Sequence, residues 1–187
     1  MAIYKEGKRL VKLWKGAEKI ARVYKGSTLV FGYPPSKLLF EQSTAGTYTL
    51  TLDYDTKCYI EIVGGGGGWL SIPQHGYYYG GGSGAYIKGE AMIPAGTYTI
   101  VVGAGSQTSD GGDSSFYNQI AGGGKGGGFT NAGGTATVTL SGLTGINGNQ
   151  GTFGVAGSSV YDGDGDYGGG TIPYGTGVSG YVKIVTV

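Results

Sequence analysis

The sequence contains one cysteine, one histidine and five prolines in 187 residues, and only 13% of it is charged. With Cys58 alone no intrachain disulfide can form. Its setting, Lys57-Cys58-Tyr59-Ile60-Glu61-Ile62-Val63, suits a buried thiol better than a reactive one. His75 alone cannot supply a redundant Ser–His or Cys–His pairing, and no Gly-x-Ser-x-Gly elbow occurs. Gly124-Lys125 is followed by Gly126, where a phosphate loop needs Ser or Thr. Gly103-Ala104-Gly105 runs on to Thr108, where a dinucleotide fingerprint wants its third glycine. An enzyme is therefore not expected. No apolar run reaches the roughly 18 residues of a spanning helix, and the chain begins without the apolar stretch of a signal peptide. The expectation is a protein made in a cytoplasm, without membrane insertion. A net charge of +1 makes no case for nucleic acid.

Glycine is what the chain has in excess: 43 residues, against a usual share of roughly 7%. They come in runs, Gly64 to Gly68, Gly80 to Gly82, Gly122 to Gly124, Gly126 to Gly128 and Gly168 to Gly170. Glycine loses the most backbone entropy on folding and brings no side chain to pack. Collagen is excluded, because it needs glycine at every third position and much proline. A flexible linker fits poorly, since 39% of the chain is hydrophobic and tyrosine alone numbers 16. The remaining architecture is a packed array of extended polyglycine II helices. These have about three residues per turn and no internal hydrogen bonds, and could bond to one another through N–H and C=O.

The ends of the chain differ. Residues 1–35 carry eight Lys/Arg and two Glu, a balance of +6, and residues 36–187 carry five Lys and ten Asp/Glu, a balance of −5. The first thirty residues repeat with a period of ten: Val11-Lys12-Leu13-Trp14-Lys15-Gly16-Ala17-Glu18-Lys19-Ile20 aligns on Ala21-Arg22-Val23-Tyr24-Lys25-Gly26-Ser27-Thr28-Leu29-Val30. Each unit reads as a strand, a glycine turn and a new strand, so the region is expected to be a β-meander. Helix competes over residues 8–25, but the recurring glycine and fixed period oppose it. The lysines suit solvent faces and strand edges. Such short strands bury little alone, which marks residues 1–32 as an attachment element. Tyr33-Pro34-Pro35-Ser36 is a stiff spacer and sets the domain boundary: 1–35, then 36–187.

In the second domain Ala45-Gly46-Thr47-Tyr48-Thr49-Leu50 recurs as Ala95-Gly96-Thr97-Tyr98-Thr99-Ile100, each a turn feeding an alternating strand. Further strands are expected over Cys58 to Val63, Ala85 to Met92, Ala136 to Leu140 and Tyr181 to Val187, the last closing the sheet. The fold class is mainly β, with a sandwich-like scaffold anchoring polyglycine II helices. Trp69 to Tyr79, Ser106 to Ile120 and Asn147 to Tyr167 stand apart as segments of different character.

The order of these motifs resembles the glycine-rich domain at the fibre tips of tailed bacteriophages. Ile62-Val63-Gly64-Gly65-Gly66-Gly67-Gly68, then Pro94-Ala95-Gly96-Thr97-Tyr98-Thr99-Ile100-Val101-Val102-Gly103-Ala104-Gly105, Gly111-Gly112-Asp113-Ser114-Ser115-Phe116 and the closing Gly180-Tyr181-Val182-Lys183-Ile184 carry the likeness over roughly residues 38–187. The resemblance implies a non-enzymatic virion protein, an adhesin that displays loops to a host surface glycan or protein. Residues 1–32 would join it to other virion proteins, with a homotrimer as one arrangement. A head fibre or decoration protein without a specific receptor is the structural alternative. A glycan depolymerase is the enzymatic one, and would need paired carboxylates at catalytic separation.

Two segments are candidate sites. Trp69-Leu70-Ser71-Ile72-Pro73-Gln74-His75-Gly76-Tyr77-Tyr78-Tyr79 concentrates aromatics, with Trp69, Gln74, His75, Tyr77, Tyr78 and Tyr79 as receptor-binding candidates. Aromatic planes stack on the C–H faces of sugar rings, while Tyr hydroxyls and side-chain amides take the sugar hydroxyls. The same rings could instead roof the glycine layer. Asp162-Gly163-Asp164-Gly165-Asp166 spaces carboxylates as a calcium loop does. Tyr167 replaces the usual turn glycine, however, and Pro173 stands where the bidentate glutamate belongs. Asp162, Asp164 and Asp166 are thus read as a solvated acidic turn, with a weak Ca²⁺ site as the alternative and no other cofactor expected.

Overall fold

Strand alternation governs the chain outside the glycine runs. The structure, a computed structural model, describes residues 36–163 and 165–187, and within the first 35 residues the backbone of six short strands. The chain divides into two compact units, Met1–Ser36 and Lys37–Val187.

The first unit is a series of two-stranded antiparallel hairpins. They are β1 (Tyr4–Lys5) with β2 (Lys8–Arg9), β3 (Trp14–Lys15) with β4 (Glu18–Lys19), and β5 (Arg22–Lys25) with β6 (Thr28–Gly32). The pairs Lys5↔Lys8, Lys15↔Glu18 and Lys25↔Thr28 recur at the spacing of the sequence repeat. The innermost pair of each hairpin therefore falls at the same place in the repeat.

The second unit contains β7 (Leu38–Gln42), β8 (Gly46–Leu52), β9 (Thr56–Val63), β10 (Leu70–Ile72), β11 (Tyr77–Tyr79), β12 (Tyr86–Ile93), β13 (Gly96–Val102), β14 (Ser114–Phe116), β15 (Gln119–Ala121), β16 (Ala136–Thr137), β17 (Leu143–Ile146) and β18 (Tyr181–Thr186). Two five-stranded sheets form, ordered β17-β12-β9-β18-β7 and β16-β15-β14-β13-β8, and every described pairing is antiparallel. Alternate residues of both sheets meet in one core: Ile60, Ile62, Ile87, Ile93, Val182 and Ile184 from the first, Leu50, Leu52, Ile100, Val102 and Phe116 from the second. Each such isoleucine or phenylalanine contributes roughly 1.5–3 kcal/mol by leaving water. Cys58 lies in this core, and burial pushes its thiol up to about 11.

The structure refines two expectations and corrects a third. The closing strand β18 completes the first sheet from within, between β9 and β7. The strand expected over Ala136 to Leu140 is confined to Ala136–Thr137, and Gln119 accounts for its early end. The Gln119 side chain takes the backbone N–H groups of Thr139 and Leu140 and donates to Thr139 Oγ1, replacing ladder bonds with side-chain bonds. Ser106 to Ile120, set apart as a segment of different character, holds most of the β14–β15 hairpin.

Candidate functional site

The glycine runs begin where the strands stop. β9 passes into Gly64–Gly68, β15 into Gly122–Gly124, and Gly80–Ala85 leads into β12. Successive amides of Gly80 to Ala85 donate to Thr152, Thr171, Lys125, Asn149, Gly168 and Gly122 in turn. The same neighbouring segment is met again at every third residue, where a β-strand would return at every second. Gly64 and Gly67 likewise donate to Ala85 and Gly82, and Gly65 and Gly68 to Gly112 and Ser109, at 2.8–2.9 Å. Side chains are excluded by distance: a Cβ on Gly66 would sit on the carbonyl of Gly169, and one on Gly81 on that of Gly67. The buried backbone polar groups are thus paired with one another, segment to segment.

From this layer the candidate binding segment emerges as a hairpin. β10 and β11 pair as Leu70↔Tyr79, Ser71↔Tyr78 and Ile72↔Tyr77. The tip is one turn of 3₁₀-helix, Pro73–His75, closed by Gly76 at φ 64, which donates to Pro73 O. Gln74 and His75 are exposed at that tip. Alternation then sorts the aromatics onto two faces. On one, His75 stacks on Tyr77, and Tyr77 and Tyr79 pack edge-on against Phe153, with Phe129 against Tyr79. On the other, Trp69, Tyr78 and Tyr174 meet at centroid distances of 5.4–6.3 Å. All six receptor-binding candidates therefore belong to one hairpin, but its two faces are chemically separate.

Phe129, Phe153 and Tyr174 complete these faces and were not identified from the sequence. Each stands alone in a glycine-rich loop. Phe129 is positioned through Asn131, which accepts from Gly128 N–H and donates to Gly80 O. Phe153 is held by the bond from Gly154 N–H to Tyr78 O. Tyr174 occupies a turn in which Gly175 N–H donates to Ile172 O and Pro173 precedes it. Its φ is 67°, in the left-handed region. For a residue with a Cβ that conformation costs about 1–2 kcal/mol. Trp69 Nε1, beside it, is buried without an acceptor among the described residues.

The acidic segment is engaged differently. The outer face of the first sheet carries Tyr86, Tyr181 and the buried Glu61, and Tyr161 and Tyr167 fold over them. Tyr167 stacks on Tyr181 at 4.4 Å, Tyr86 donates to Glu61, and Tyr181 donates to Glu41. Burial and the adjacent Glu61 hold the Tyr161 hydroxyl protonated, pushed up to about 12; burial and carboxylate partners push Tyr86 and Tyr181 further in the same direction. Asp162 forms an ion pair with Lys88, which lowers its pKa. Asp166 is exposed, with its carboxylate near Gly169, and Asp164 lies outside the described residues. Among the described residues no three His, Cys, Asp or Glu side chains come together as metal ligands.

The chain belongs to the glycine-rich domain family, whose pattern matches residues 42–183. No curated protein matches it.

Proposed function

We propose that this chain is a bacteriophage fibre-tip adhesin. In this reading, residues 1–32 attach it to other virion proteins, and a bundle of polyglycine II helices on a sandwich of two sheets holds its recognition loops. The return of each glycine segment to the same neighbour at every third residue supports the polyglycine screw. The observation that carries the recognition role is the aromatic display. Tyr77, Phe129, Phe153 and Tyr174 remain largely exposed on loops that the glycine layer fixes, although the sheets already have a complete core elsewhere. Exposed aromatics grouped on a rigid support mark an interaction surface. The resemblance to phage fibre-tip domains supplies the biological setting, and a host surface glycan or protein is the receptor class.

Two arms test this. Antibody labelling of intact virions should place the protein at the distal end of the tail, and purified protein should bind host cells and compete with infection. Deleting residues 1–35 should leave a folded, cell-binding protein that no longer joins the virion. Label on the capsid with no cell binding would instead make it a decoration protein.

A further inference from the structure

We infer that the Trp69–Tyr78–Tyr174 face is a binding site for a neutral sugar ring, with Tyr174 as the residue held in place for that contact. The inference rests on the adhesin reading and narrows its receptor class. Tyr174 occupies the turn position after a proline at which φ is positive, the position such turns give to glycine or asparagine. Gly175 is its neighbour, and the chain uses 43 glycines in all. The tyrosine also gains little by burial, being 78% exposed. Tyr117 makes the contrast. It too has positive φ, but its ring packs edge-on against Tyr98 at 5.1 Å and joins the core, so folding accounts for it. Folding does not account for Tyr174. Strained backbone that the fold does not need belongs to a binding role.

The chemistry of the face selects the ligand. Residues 69–79, 106–109, 126–137, 147–160 and 170–180 contain no Asp, Glu, Lys or Arg. A charged ligand would lose hydration there without gaining a counter-charge. A pyranose offers what the face can use: an apolar C–H surface for the rings of Tyr174 and Trp69, and hydroxyls for the Tyr78 and Tyr174 phenols. Tyr174 lies close enough to raise the Tyr78 hydroxyl pKa, so the Tyr78 phenol stays a protonated donor at neutral pH.

The test uses the full chain and saturation-transfer NMR. The probes are the methyl glycosides of glucose, galactose, mannose and N-acetylglucosamine, with N-acetylneuraminate as the anionic comparison. At least one neutral glycoside should receive saturation on one ring face. Tyr174→Gly should weaken that binding roughly tenfold or more, as loss of a hot-spot aromatic does. Its Tm should stay the same or rise by about 2–4 °C as the strain is relieved. Tyr54→Ala, removing a tyrosine 70% exposed in the β8–β9 turn, should change neither binding nor Tm. Absence of transfer to every neutral glycoside, preference for N-acetylneuraminate, or undiminished transfer in Tyr174→Gly overturns the inference. Host-cell binding by the same preparations separates the two claims. Retained cell binding without sugar binding leaves an adhesin with a protein receptor, whereas loss of both removes the adhesin reading as well.

Discussion

At the scale of single residues, glycine does two unlike jobs in this chain, and substitution distinguishes them. Gly66 is needed for space: any Cβ would lie inside 3.0 Å of the Gly169 backbone, which cannot swing away as a side chain would. Gly154 is needed for conformation: its φ is 69° and nothing lies near its missing Cβ. Gly66→Ala should therefore cost about 3 kcal/mol or more, as overpacking of a closed site does. Gly154→Ala should cost about 1 kcal/mol, the left-handed penalty alone. Urea unfolding of the two variants checks the order, and equal costs would mean that the glycine layer yields. The sequence shows that glycine is abundant in both places but not which job it does, because that depends on which distant carbonyl faces each Cα. The same limit hid Tyr174. Pro173-Tyr174-Gly175 signals a turn, yet only its dihedral shows that tyrosine sits where glycine would be easier.

At the scale of elements, strands with long period-two patterns were legible. β8, β13, β9 and β12 fall within a residue or two of the alternating runs, because a half-buried strand must alternate. The β14–β15 hairpin was not legible. Its strands have three residues each, and its turn is Tyr117-Asn118, both at positive φ, without the glycine that usually marks such a turn. The trimmed β16 was hidden as well, since its ladder is interrupted by a single glutamine side chain from another strand. The tyrosine cluster over the first sheet yields a pH prediction. Tyr161, Tyr86, Tyr181 and Cys58 all have folded pKa values raised by burial above their unfolded ones. Above pH of about 9–10 the unfolded chain releases these protons and the folded chain keeps them, so stability is full below that range and falls as pH rises. Absorbance at 295 nm should show a cooperative rise in tyrosinate at or above about pH 12 that coincides with unfolding. Independent ionisation of all tyrosines near pH 10, with no cooperative step, would contradict the buried cluster.

At the scale of the whole molecule, the unit Lys37–Val187 combines two ordinary sheets round a hydrophobic core with hydrogen-bonded glycine backbone that carries almost no side chains. The alternation of strands and glycine runs was visible in the sequence. The insertion of β18 between β9 and β7 was not, because sequence order does not fix spatial order in an antiparallel sheet. The division of labour gives the aromatic loops a firm base: Tyr78, Phe153 and Tyr174 are within a few residues of glycines bonded across the layer. Native-state hydrogen exchange followed by NMR is the direct test of whether these glycines form a cooperative framework. The amides of Gly65, Gly67, Gly82, Gly111 and Gly124, each bonded to another segment at 2.8–2.9 Å, should exchange only through global unfolding, at the same free energy as Ile60 and Ile184 in the sheets. Exchange of those glycines at the rate of an unstructured chain, while the sheet amides stay protected, would contradict it.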